Sequence, residues 1–413
     1  MSPKHLQTKI IHNGSSVNAP LGATHTPIFQ SAGFAYDSMQ ELEDVFQGKA
    51  YGHYYSRVSN PTVESLEARL TAIEGAVGAV VVSSGMAAIS SAILSIAKSG
   101  EHIIVSKSLF GSTYYLLKDY LSDCGIEISF VDPSNTEDFK SQIKENTRLF
   151  YVETIGNPKL DIPNLQVLAN IANEHNIVLI ADSTFTTPVL LSAKQLGVHV
   201  VIYATTKYIA GGGTTVGGAI LDTGLKNWKE SSSSQIKAQE KFGRLAFLSA
   251  VRKVRANSGV SQSPFNAYLT SLGLDTLSLR MNAHSKSALK VAEFLQTHPK
   301  VAHVNYPGLK AHKQHELATA QFNGVFGGML TIRLGSKQRA FKFIDSLKLT
   351  KTLVNLGDAK TLAVYPATTI YRNLTPEERV EAGVYEDLVR VSIGLEHPDD
   401  IIEDFTKALE ELK

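Results

Sequence analysis

Short apolar segments alternate with helix-like stretches between residues 61 and 204, and this alternation constrains the fold more than any other feature of the sequence. Six apolar runs are separated by stretches in which apolar residues recur at helical spacing. The runs are residues 79–82, 102–105, 126–131, 149–152, 177–181 and 198–204. Strands that alternate with helices predict a mostly parallel sheet covered on both faces, which is the α/β class.

The regions on either side of this alternation differ in composition. Residues 1–60 are rich in Gly, Pro, Asn, Ser and Tyr and show little periodicity, so we expect an irregular N-terminal arm. Asn60 followed by Pro61 is a typical start of a helix. We therefore predict a large α/β domain over residues 61–257 and a smaller α+β domain over residues 258–413.

The smaller domain is predicted from helix-like and strand-like stretches. Its expected elements are helices over residues 266–280 and 284–296, strands over 301–306, 328–333 and 388–393, and an amphipathic helix at the C-terminus. Just before it, residues 226–257 contain four consecutive serines and basic residues such as Arg252 and Arg255. These favour a solvated loop and helix surface over a site for an anionic ligand.

Charge and cysteine content exclude several classes of function. Lysine and arginine total 40 against 39 for aspartate and glutamate, so the net charge does not indicate nucleic-acid binding. The single cysteine, Cys124, excludes an intrachain disulfide and favours a reducing compartment. We therefore expect a cytoplasmic protein with no nucleic-acid partner.

Neither a membrane partner nor a metal site is expected. The uncharged stretch 76–97 is long enough to cross a bilayer, but serines interrupt it, so we predict a buried strand followed by a buried helix. His312 and His315, with Glu316 beside them, are the close histidine pair of note. We interpret them as a solvated helix face rather than as metal ligands.

Lys207 is the first candidate for chemistry. It follows the last apolar run and two threonines, and a glycine-rich stretch comes after it. A lysine at the end of a buried strand either extends its amine to the surface or keeps the amine partly desolvated, ready to form a Schiff base. The segment alone leaves both interpretations open.

Two further features favour the Schiff base. Asp182 follows the preceding apolar run, so its carboxylate would lie at the C-terminal edge of the same sheet, where open α/β sheets bind ligands. Alone it is more simply a cap, but beside a lysine it could pair with the protonated ring nitrogen of pyridoxal phosphate. Gly85, in a turn between a strand and a helix, marks a typical phosphate site.

Several motifs occur in order along nearly the whole chain. From Tyr55-Ser-Arg-Val-Ser-Asn-Pro-Thr62 to Val389-Arg-Val-Ser-Ile-Gly-Leu-Glu396, the sequence resembles the fold type I pyridoxal-phosphate enzymes of cysteine and methionine metabolism. Cystathionine γ-synthases and γ-lyases, methionine γ-lyases and O-acylhomoserine sulfhydrylases belong to this family. The resemblance implies an aspartate aminotransferase-like fold and pyridoxal 5'-phosphate as the cofactor. It also implies a homo-oligomer, expected as a dimer of dimers, with shared active sites.

The resemblance assigns roles to individual residues. Lys207, Tyr55 and Phe110 are the implied catalytic residues, with Lys207 as the Schiff-base lysine that also moves protons. The implied cofactor contacts are Asp182 at the ring nitrogen, Ser84, Gly85, Met86 and Thr206 at the phosphate, Phe110 on the ring, Asn157 at the phenolic oxygen, and Tyr55 and Arg57 from a neighbouring subunit. The implied substrate contacts are Arg390, as the clamp for the α-carboxylate, with Asn355 and Asn157.

The sequence departs from the family pattern at positions that affect the substrate. Phe110 replaces a common tyrosine, which keeps ring stacking but removes a phenolic proton donor. Ala204 replaces a phosphate-binding serine, and Tyr365-Pro-Ala-Thr368 replaces a common His-Pro-Ala-Ser segment. The resemblance implies that this segment and the following Thr369-Ile370-Tyr371 line or support the substrate pocket.

Other departures bear on the reaction. Ser112 stands where methionine γ-lyases carry a cysteine, and Val354 where cystathionine γ-synthases and γ-lyases tend to carry a glutamate. Residues 263–266 and 355–360 are most similar to the sulfhydrylase branch. We therefore expect γ-replacement on an O-acylhomoserine, with O-acetylhomoserine as the expected ester and sulfide or a small thiol as the second substrate. The product would be homocysteine or methionine.

Alternatives remain open. One is γ-elimination to 2-oxobutanoate and ammonia, as in a methionine γ-lyase, and another is the cystathionine γ-synthase reaction. A third is a module that binds pyridoxal phosphate without catalysis, which the departures at Phe110, Ala204 and Tyr365 suggest but the retained Lys207 and Asp182 oppose.

Overall fold

A seven-stranded sheet forms the centre of the larger part of the molecule. The computed structural model describes residues 5–14 and 17–412. In chain order the strands are β1 Gly78–Val82, β2 His102–Ser106, β3 Glu127–Val131, β4 Thr147–Glu153, β5 Val178–Asp182, β6 Val200–Tyr203 and β7 Gly218–Asp222. Their spatial order is β1-β7-β6-β5-β4-β2-β3, with β7 antiparallel to both of its neighbours and the other pairs parallel.

Side chains of this sheet alternate between two apolar cores, one on each face. In β1, Val81 packs into one core, while Val80 and Val82 pack into the other. Because both faces are buried, the strands β1, β5, β6 and β7 are almost entirely apolar rather than alternating with polar residues, whereas the edge strand β3 begins with the exposed Glu127. The predicted α/β class with a mostly parallel sheet is confirmed.

Helices cover both faces of the sheet, and five of them, α2, α3, α4, α6 and α7, begin at a side chain that caps the helix. Asn60 accepts a hydrogen bond from the backbone N–H of Thr62 (3.0 Å), which confirms the predicted helix start. The helices up to residue 258 are α1 Leu6–His12, α2 Met39–Phe46, α3 Pro61–Glu74, α4 Gly85–Ile96, α5 Gly111–Tyr115 with a π-helical continuation Leu116–Leu121, α6 Thr136–Ser141, α7 Leu165–Glu174, α8 Thr187–Leu190, α9 Ser234–Lys237 and α10 Ala246–Ser258. The uncharged stretch 76–97 thus forms β1 and α4, as predicted.

A second sheet, of five strands, organises the chain after residue 258. Its strands are β8 His303–Asn305, β9 Met329–Arg333, β10 Lys351–Thr352, β11 Leu362–Val364 and β12 Leu388–Ser392. Their order is β10-β11-β12-β9-β8, antiparallel except for the pair β10 and β11. The helices of this region are α11 Pro264–Asp275, α12 Leu277–Thr297, α13 His315–Gln321, α14 Lys337–Ser346, α15 Pro376–Glu381 and α16 Pro398–Glu410. The predicted boundary after residue 257 falls one residue before the end of α10, and the division of the chain into these domains stays a prediction.

Several sequence predictions need correction. The predicted helix over residues 266–280 is two helices, because Thr276 (φ −108°, ψ 5°) leaves helical geometry between α11 and α12. The predicted strand over 301–306 shortens to the three residues of β8. Strands β7, β10 and β11 are absent from the predictions; the last two are too short to show a recognisable alternation.

The N-terminal arm is not wholly irregular, since it contains α1 and α2. It is attached to the body through Arg69 of α3, whose guanidinium donates hydrogen bonds to the carbonyl of Ile10 (2.9 Å), the carbonyl of Ser271 (2.6 Å) and the carboxylate of Asp275 (2.5 Å). Three helices are therefore joined by one buried cation. Within residues 5–14 and 17–412, no helix is both long and apolar enough to cross a membrane.

Arg255 also departs from its predicted place on a solvated surface. Its guanidinium donates to the carboxylate of Glu67 (2.7 Å) and to the carbonyl of Val58 (2.6 Å), and the side chain is buried. The charge is satisfied inside the chain, so this arginine is a structural cation rather than part of an anion site.

Asp404 of α16 holds the chain that leads into β10. Its carboxylate accepts hydrogen bonds from the backbone N–H groups of Lys348 (2.7 Å), Leu349 (3.1 Å) and Thr350 (3.0 Å). Burial raises the pKa of Asp404, but these backbone hydrogen bonds outweigh burial and hold the pKa below its ordinary value.

We expect Asp404→Asn to lower the free energy of unfolding by about 2 kcal/mol at neutral pH, because the amide cannot replace an ionised acceptor of three N–H groups. A carboxyl group with a depressed folded pKa stabilises the fold above its unfolded pKa, about 4, and this contribution is lost as the pH falls through the folded value. Urea unfolding at a series of pH values should therefore show the difference shrinking below about pH 4.

Glu403→Gln is the matched control, since Glu403 is a neighbouring carboxyl on the exposed face of α16. It should change the free energy of unfolding far less than Asp404→Asn does, because its ion pair with Lys407 is exposed to solvent. If Asp404→Asn lowers the free energy of unfolding by the same amount at all pH values, Asp404 does not act as an ionised acceptor.

Candidate active site

A cavity of about 290 Å³ lies at the C-terminal ends of β4, β5 and β6. This is the edge at which open α/β sheets bind ligands. Ten of the twelve site residues predicted from the sequence line it, namely Ser84, Gly85, Met86, Phe110, Asn157, Asp182, Thr206, Lys207, Asn355 and Arg390. Tyr55 and Arg57 are not among the lining residues.

Lys207 lies in the turn that follows β6. Its Nζ donates a hydrogen bond to Oδ1 of Asn355 (2.6 Å), so the amine points into the cavity and does not extend to the surface. Burial lowers the pKa of this amine to about 8, and the positive charge of Arg390 contributes further. An amine with this pKa is neutral in a substantial fraction of molecules near pH 8, and a neutral amine can act as a nucleophile or a base.

The loop that carries Asn355 packs closely against the turn of Lys207. Gly357 in this loop has a φ of +66°, and a Cβ at this position would lie 2.6 Å from the backbone N of Tyr208. Glycine therefore allows both the left-handed conformation and the close approach. The N–H of Gly357 donates to Oγ of Ser392 (2.9 Å), which ties the loop to β12.

Two carboxyl groups lie side by side at the ends of β4 and β5, where Glu153 is directly opposite Asp182. Asp182 accepts hydrogen bonds from the N–H of Thr184 (2.9 Å) and the hydroxyl of Tyr151 (3.4 Å). Burial raises the pKa of both carboxyl groups, and the charge of Asp182 raises the pKa of Glu153 further. Since no described cation forms an ion pair with Asp182, a protonated ring nitrogen would supply its missing partner.

Glu153 also positions Phe110. One of its carboxyl oxygens accepts a hydrogen bond from the N–H of Phe110 (2.7 Å), immediately before α5 begins. Phe110 lines the cavity, so its aromatic ring is available to stack on a flat ligand.

The turn between β1 and α4 can hold an anion. Ser84 caps α4 by accepting a hydrogen bond from the N–H of Ala87 (3.1 Å), and Gly85 is the first helical residue. A Cβ on Gly85 would lie 2.6 Å from Cβ of Ala204, so glycine lets the helix start pack against the turn that leads to Lys207. The N–H groups and the helix dipole at this end favour a phosphate.

These groups fit pyridoxal 5'-phosphate. The cavity contains a desolvated amine for its aldehyde, a buried carboxyl group without a cationic partner for its ring nitrogen, and a helix N-terminus for its phosphate. Each part of the cofactor thus meets a group of matching chemistry.

Arg390 projects into the cavity from the middle of β12 and is only 2% exposed. Its Nη1 donates to Oδ1 of Asn157 (3.2 Å) and its Nη2 to the backbone carbonyl of Asn355 (3.2 Å), while Nε has no partner among the described residues. A buried guanidinium without an anionic partner is unfavourable. A substrate carboxylate would supply both the opposite charge and a bidentate acceptor.

Tyr55 and Arg57 lie on the surface of the arm. Tyr55 is 45% exposed, and the guanidinium of Arg57 lies 5.3 Å from the centroid of its ring. Arg57 also donates a hydrogen bond to the carbonyl of Ala256 (2.5 Å). These contacts hold the pair together but do not bring either residue into the cavity of its own chain.

The sequence interpretation missed several residues of this site. Glu153 had a detectable signal, because it follows the apolar run 149–152 just as Asp182 follows the run 177–181. Thr184 had no recognisable sequence signal, although its hydroxyl accepts a hydrogen bond from the N–H of Ala204 (2.8 Å). Tyr371, by contrast, belongs to the segment that the sequence predicts to line or support the substrate pocket, and its hydroxyl donates to the carbonyl of Asn157 (2.6 Å).

The prediction that the histidine pair lies on a solvated helix face is wrong. Both rings form hydrogen bonds with backbone carbonyl groups. His312 lies before α13 and its ring hydrogen-bonds the carbonyl of Leu160 (3.1 Å), while the ring of His315 bonds the carbonyl of Pro307 (2.9 Å). Among the residues that the structure describes, no group of three or more His, Cys, Asp or Glu side chains is arranged to hold a metal ion.

Known proteins are similar to this chain in both sequence and fold. O-acetyl-L-homoserine sulfhydrylase of Leptospira meyeri is 37% identical, with 98% of this chain and 97% of the relative covered. O-succinylhomoserine sulfhydrylase of Pseudomonas aeruginosa is 38% identical, with 94% and 92% covered. A crystal structure from Campylobacter jejuni that contains N'-pyridoxyl-lysine-5'-monophosphate is 32% identical, with a TM-score of 0.94 and coverage of 98% of this chain and 100% of that chain.

The family model described as Cys/Met metabolism PLP-dependent enzyme matches residues 7–410. The match extends over both sheets and over every residue that lines the cavity. The chain belongs to the Cys/Met metabolism family of PLP-dependent enzymes.

Proposed function

We propose that this enzyme replaces the γ-substituent of an O-acylhomoserine, with O-acetylhomoserine as the reference ester, by sulfide or a small thiol. The γ-carbon loses its C–O bond and gains a C–S bond; the acyl group leaves as a carboxylate, and the thiol proton is released. Sulfide gives homocysteine, and methanethiol gives methionine. The observation that carries this proposal is the desolvated Lys207 amine in one cavity with the unpaired, buried Arg390.

The lining of the cavity favours a small nucleophile over a second amino acid. Among the described lining residues, the acidic ones are Glu153 and Asp182, and both are buried at the strand ends. Val354, which is 55% exposed, lines the cavity where an acidic residue could bind the amine of a second amino acid. Sulfide or a short thiol needs no such partner.

Substrate binding is assigned to residues of both sheets. Arg390 would bind the α-carboxylate through its free Nε and its Nη groups. Asn157 and Asn355 hold the guanidinium in place with neutral acceptors, so they do not compete as anions for its charge.

Lys207 would move protons at the α-carbon. When bound, pyridoxal phosphate supplies an electron sink for the bond broken at that carbon. Lys207 can accept the proton because burial and Arg390 lower the pKa of its amine, and Asn355 orients Nζ at 2.6 Å. The apolar walls formed by Ile155, Phe185 and Leu356 limit access of water to this amine.

We also propose that a neighbouring subunit completes the site and that the enzyme works in the cytoplasm. Lys207 and Arg390 are the cationic residues that line the described cavity, and both have other roles, so the phosphate dianion lacks a counter-charge. The exposed Arg57 of another subunit could supply it. The free, exposed Cys124 supports a reducing compartment.

The reaction is tested by supplying O-acetylhomoserine with and without sulfide. We expect homocysteine as the main product at saturating sulfide, and Lys207→Ala should lower its rate of formation about a thousandfold or more, because the base is lost. If 2-oxobutanoate dominates even at saturating sulfide, γ-elimination is the true reaction and the proposal is wrong.

The pKa of Lys207 predicts how the cofactor-free enzyme recombines with pyridoxal phosphate. The neutral amine is the reactive form, so the rate should rise with pH through about 8 and level off about one pH unit above, instead of rising toward the ordinary lysine value of 10.5. Stopped-flow absorbance measures this rate.

Arg390→Gln removes the neighbouring charge and should shift that midpoint to higher pH. Lys253→Gln removes a charge from the exposed face of α10 and should not shift it. A midpoint near pH 10 in the wild type would contradict the assigned environment of Lys207.

Shared active sites predict complementation between two inactive variants. Arg57→Ala and Lys207→Ala chains, unfolded together and refolded as an equal mixture, should recover about one quarter of the wild-type activity, because half of the random dimers carry one intact site. Each variant refolded alone should show low enzymatic activity. A mixture no more active than the sum of its parts would contradict a contribution of Arg57 from the neighbouring subunit.

A further inference from the structure

A second cavity adjoins the catalytic one. It has a volume of about 430 Å³ and shares Phe110 and Val354 with the catalytic cavity. A group attached to the reacting substrate could therefore extend past these two side chains into the second space. We call this second cavity the vestibule, defined by its lining residues Phe110, Ser112, Tyr115, Val354, Thr368, Thr369, Ile370, Arg372 and Asn373.

The charge of the vestibule is positive. Its described lining contains one cation, Arg372, and no aspartate or glutamate. The exposed hydroxyls of Ser112 and Thr368 belong to the same lining. A guanidinium with nearby hydroxyl donors is suited to a carboxylate.

Arg372 has no partner among the residues that the structure describes. Its guanidinium forms no hydrogen bond or ion pair with any described residue, in contrast to Arg379, which pairs with Glu386 (3.0 Å) a few residues away. The hydroxyls of Ser112 and Thr368 likewise form no hydrogen bond with the described residues. All three groups are therefore free to bind a ligand.

The segment that carries Arg372 is fixed relative to the catalytic cavity. The neighbouring Tyr371 is buried, and its hydroxyl donates to the carbonyl of Asn157 (2.6 Å), a residue of that cavity. On the other side, the N–H of Asn373 donates to the hydroxyl of Tyr115 (3.1 Å). Arg372 thus lies between two anchored residues, and its backbone is held at a constant distance from the site of reaction.

The contact between this segment and α5 is also close. A Cβ on Gly111 would lie 2.4 Å from the carbonyl oxygen of Ile370, so the chain can approach the helix only because residue 111 is glycine. This approach brings Ser112, the next residue of α5, to the same wall as Thr368 and Arg372.

We propose that the vestibule binds the terminal carboxylate of a dicarboxylic acyl group, such as succinyl, on the homoserine ester, with Arg372 as the residue that determines this specificity. The inference rests on the proposed function and names the acyl class that the function leaves open. Arg390 would bind the α-carboxylate at one end of the ester, and Arg372 the acyl carboxylate at the other. An acetyl ester has no second carboxylate and gains nothing from Arg372.

The test compares O-succinylhomoserine with O-acetylhomoserine at saturating sulfide, using the holoenzyme and the Arg372→Gln variant. The wild type should convert both esters to homocysteine. Arg372→Gln should raise KM for the succinyl ester about tenfold, as expected when one partner of a charge pair is removed, and change KM for the acetyl ester less than about twofold. Arg372→Lys keeps the charge without the bidentate geometry, so its KM for the succinyl ester should lie between those of the wild type and Arg372→Gln.

Lys253→Gln is the matched control, because it removes one exposed positive charge far along the chain from the vestibule and should change neither KM. Retained activity on the acetyl ester shows that Arg372→Gln is folded. Equal effects of Arg372→Gln on both esters, no effect on either, or a wild type that converts only the acetyl ester would each overturn the inference while the proposed function stands. If the wild type converts neither ester to homocysteine, the proposed function fails and the inference fails with it.

Discussion

Lys207 and Arg390 are two cations in one cavity, and neither is paired with a carboxylate of residues 5–14 or 17–412. Burial lowers the pKa of both, and the charge of Arg390 acts on Lys207 as well. Neutral acceptors, the side chains of Asn355 and Asn157, hold them in place. Because neither cation forms an ion pair with a described residue, each can bind an anionic group of a ligand, and burial together with the charge of Arg390 keeps the Lys207 amine reactive.

The cavity depends on both sheets. The larger sheet supplies Asp182 and Lys207 at the ends of neighbouring strands, while β12 of the smaller sheet supplies Arg390. Gly357 and Tyr371 connect the two halves, one by close approach to the turn of Lys207 and the other by a hydrogen bond to the carbonyl of Asn157. The smaller sheet therefore contributes to chemistry as well as to substrate binding, and its segment around Tyr371 extends the same site outward to the vestibule.

Periodicity identified most of the larger sheet, and ten of the twelve site residues that the motifs predicted line the cavity. They succeeded where a residue follows a buried apolar run, as Asp182 and Lys207 do, because parallel strands place their carboxyl ends at one edge. They failed for β7 and β11, whose apolar runs are three residues long, and for β10, which consists of Lys351 and Thr352. Arg372 was also missed, because an arginine in a loop looks the same in sequence whether it faces solvent or a cavity.

Local patterns were sufficient to establish the α/β class, the family and the positions of the lysine and aspartate along the chain. Only the folded chain shows that Lys207 meets Asn355, 148 residues away, and that Arg390 meets Asn157, 233 residues away. Apolar periodicity reports how each segment is buried, but not which loops of the second sheet dock against the first. That docking depends on long-range packing, and it is what places the two cations together and opens the vestibule beside them.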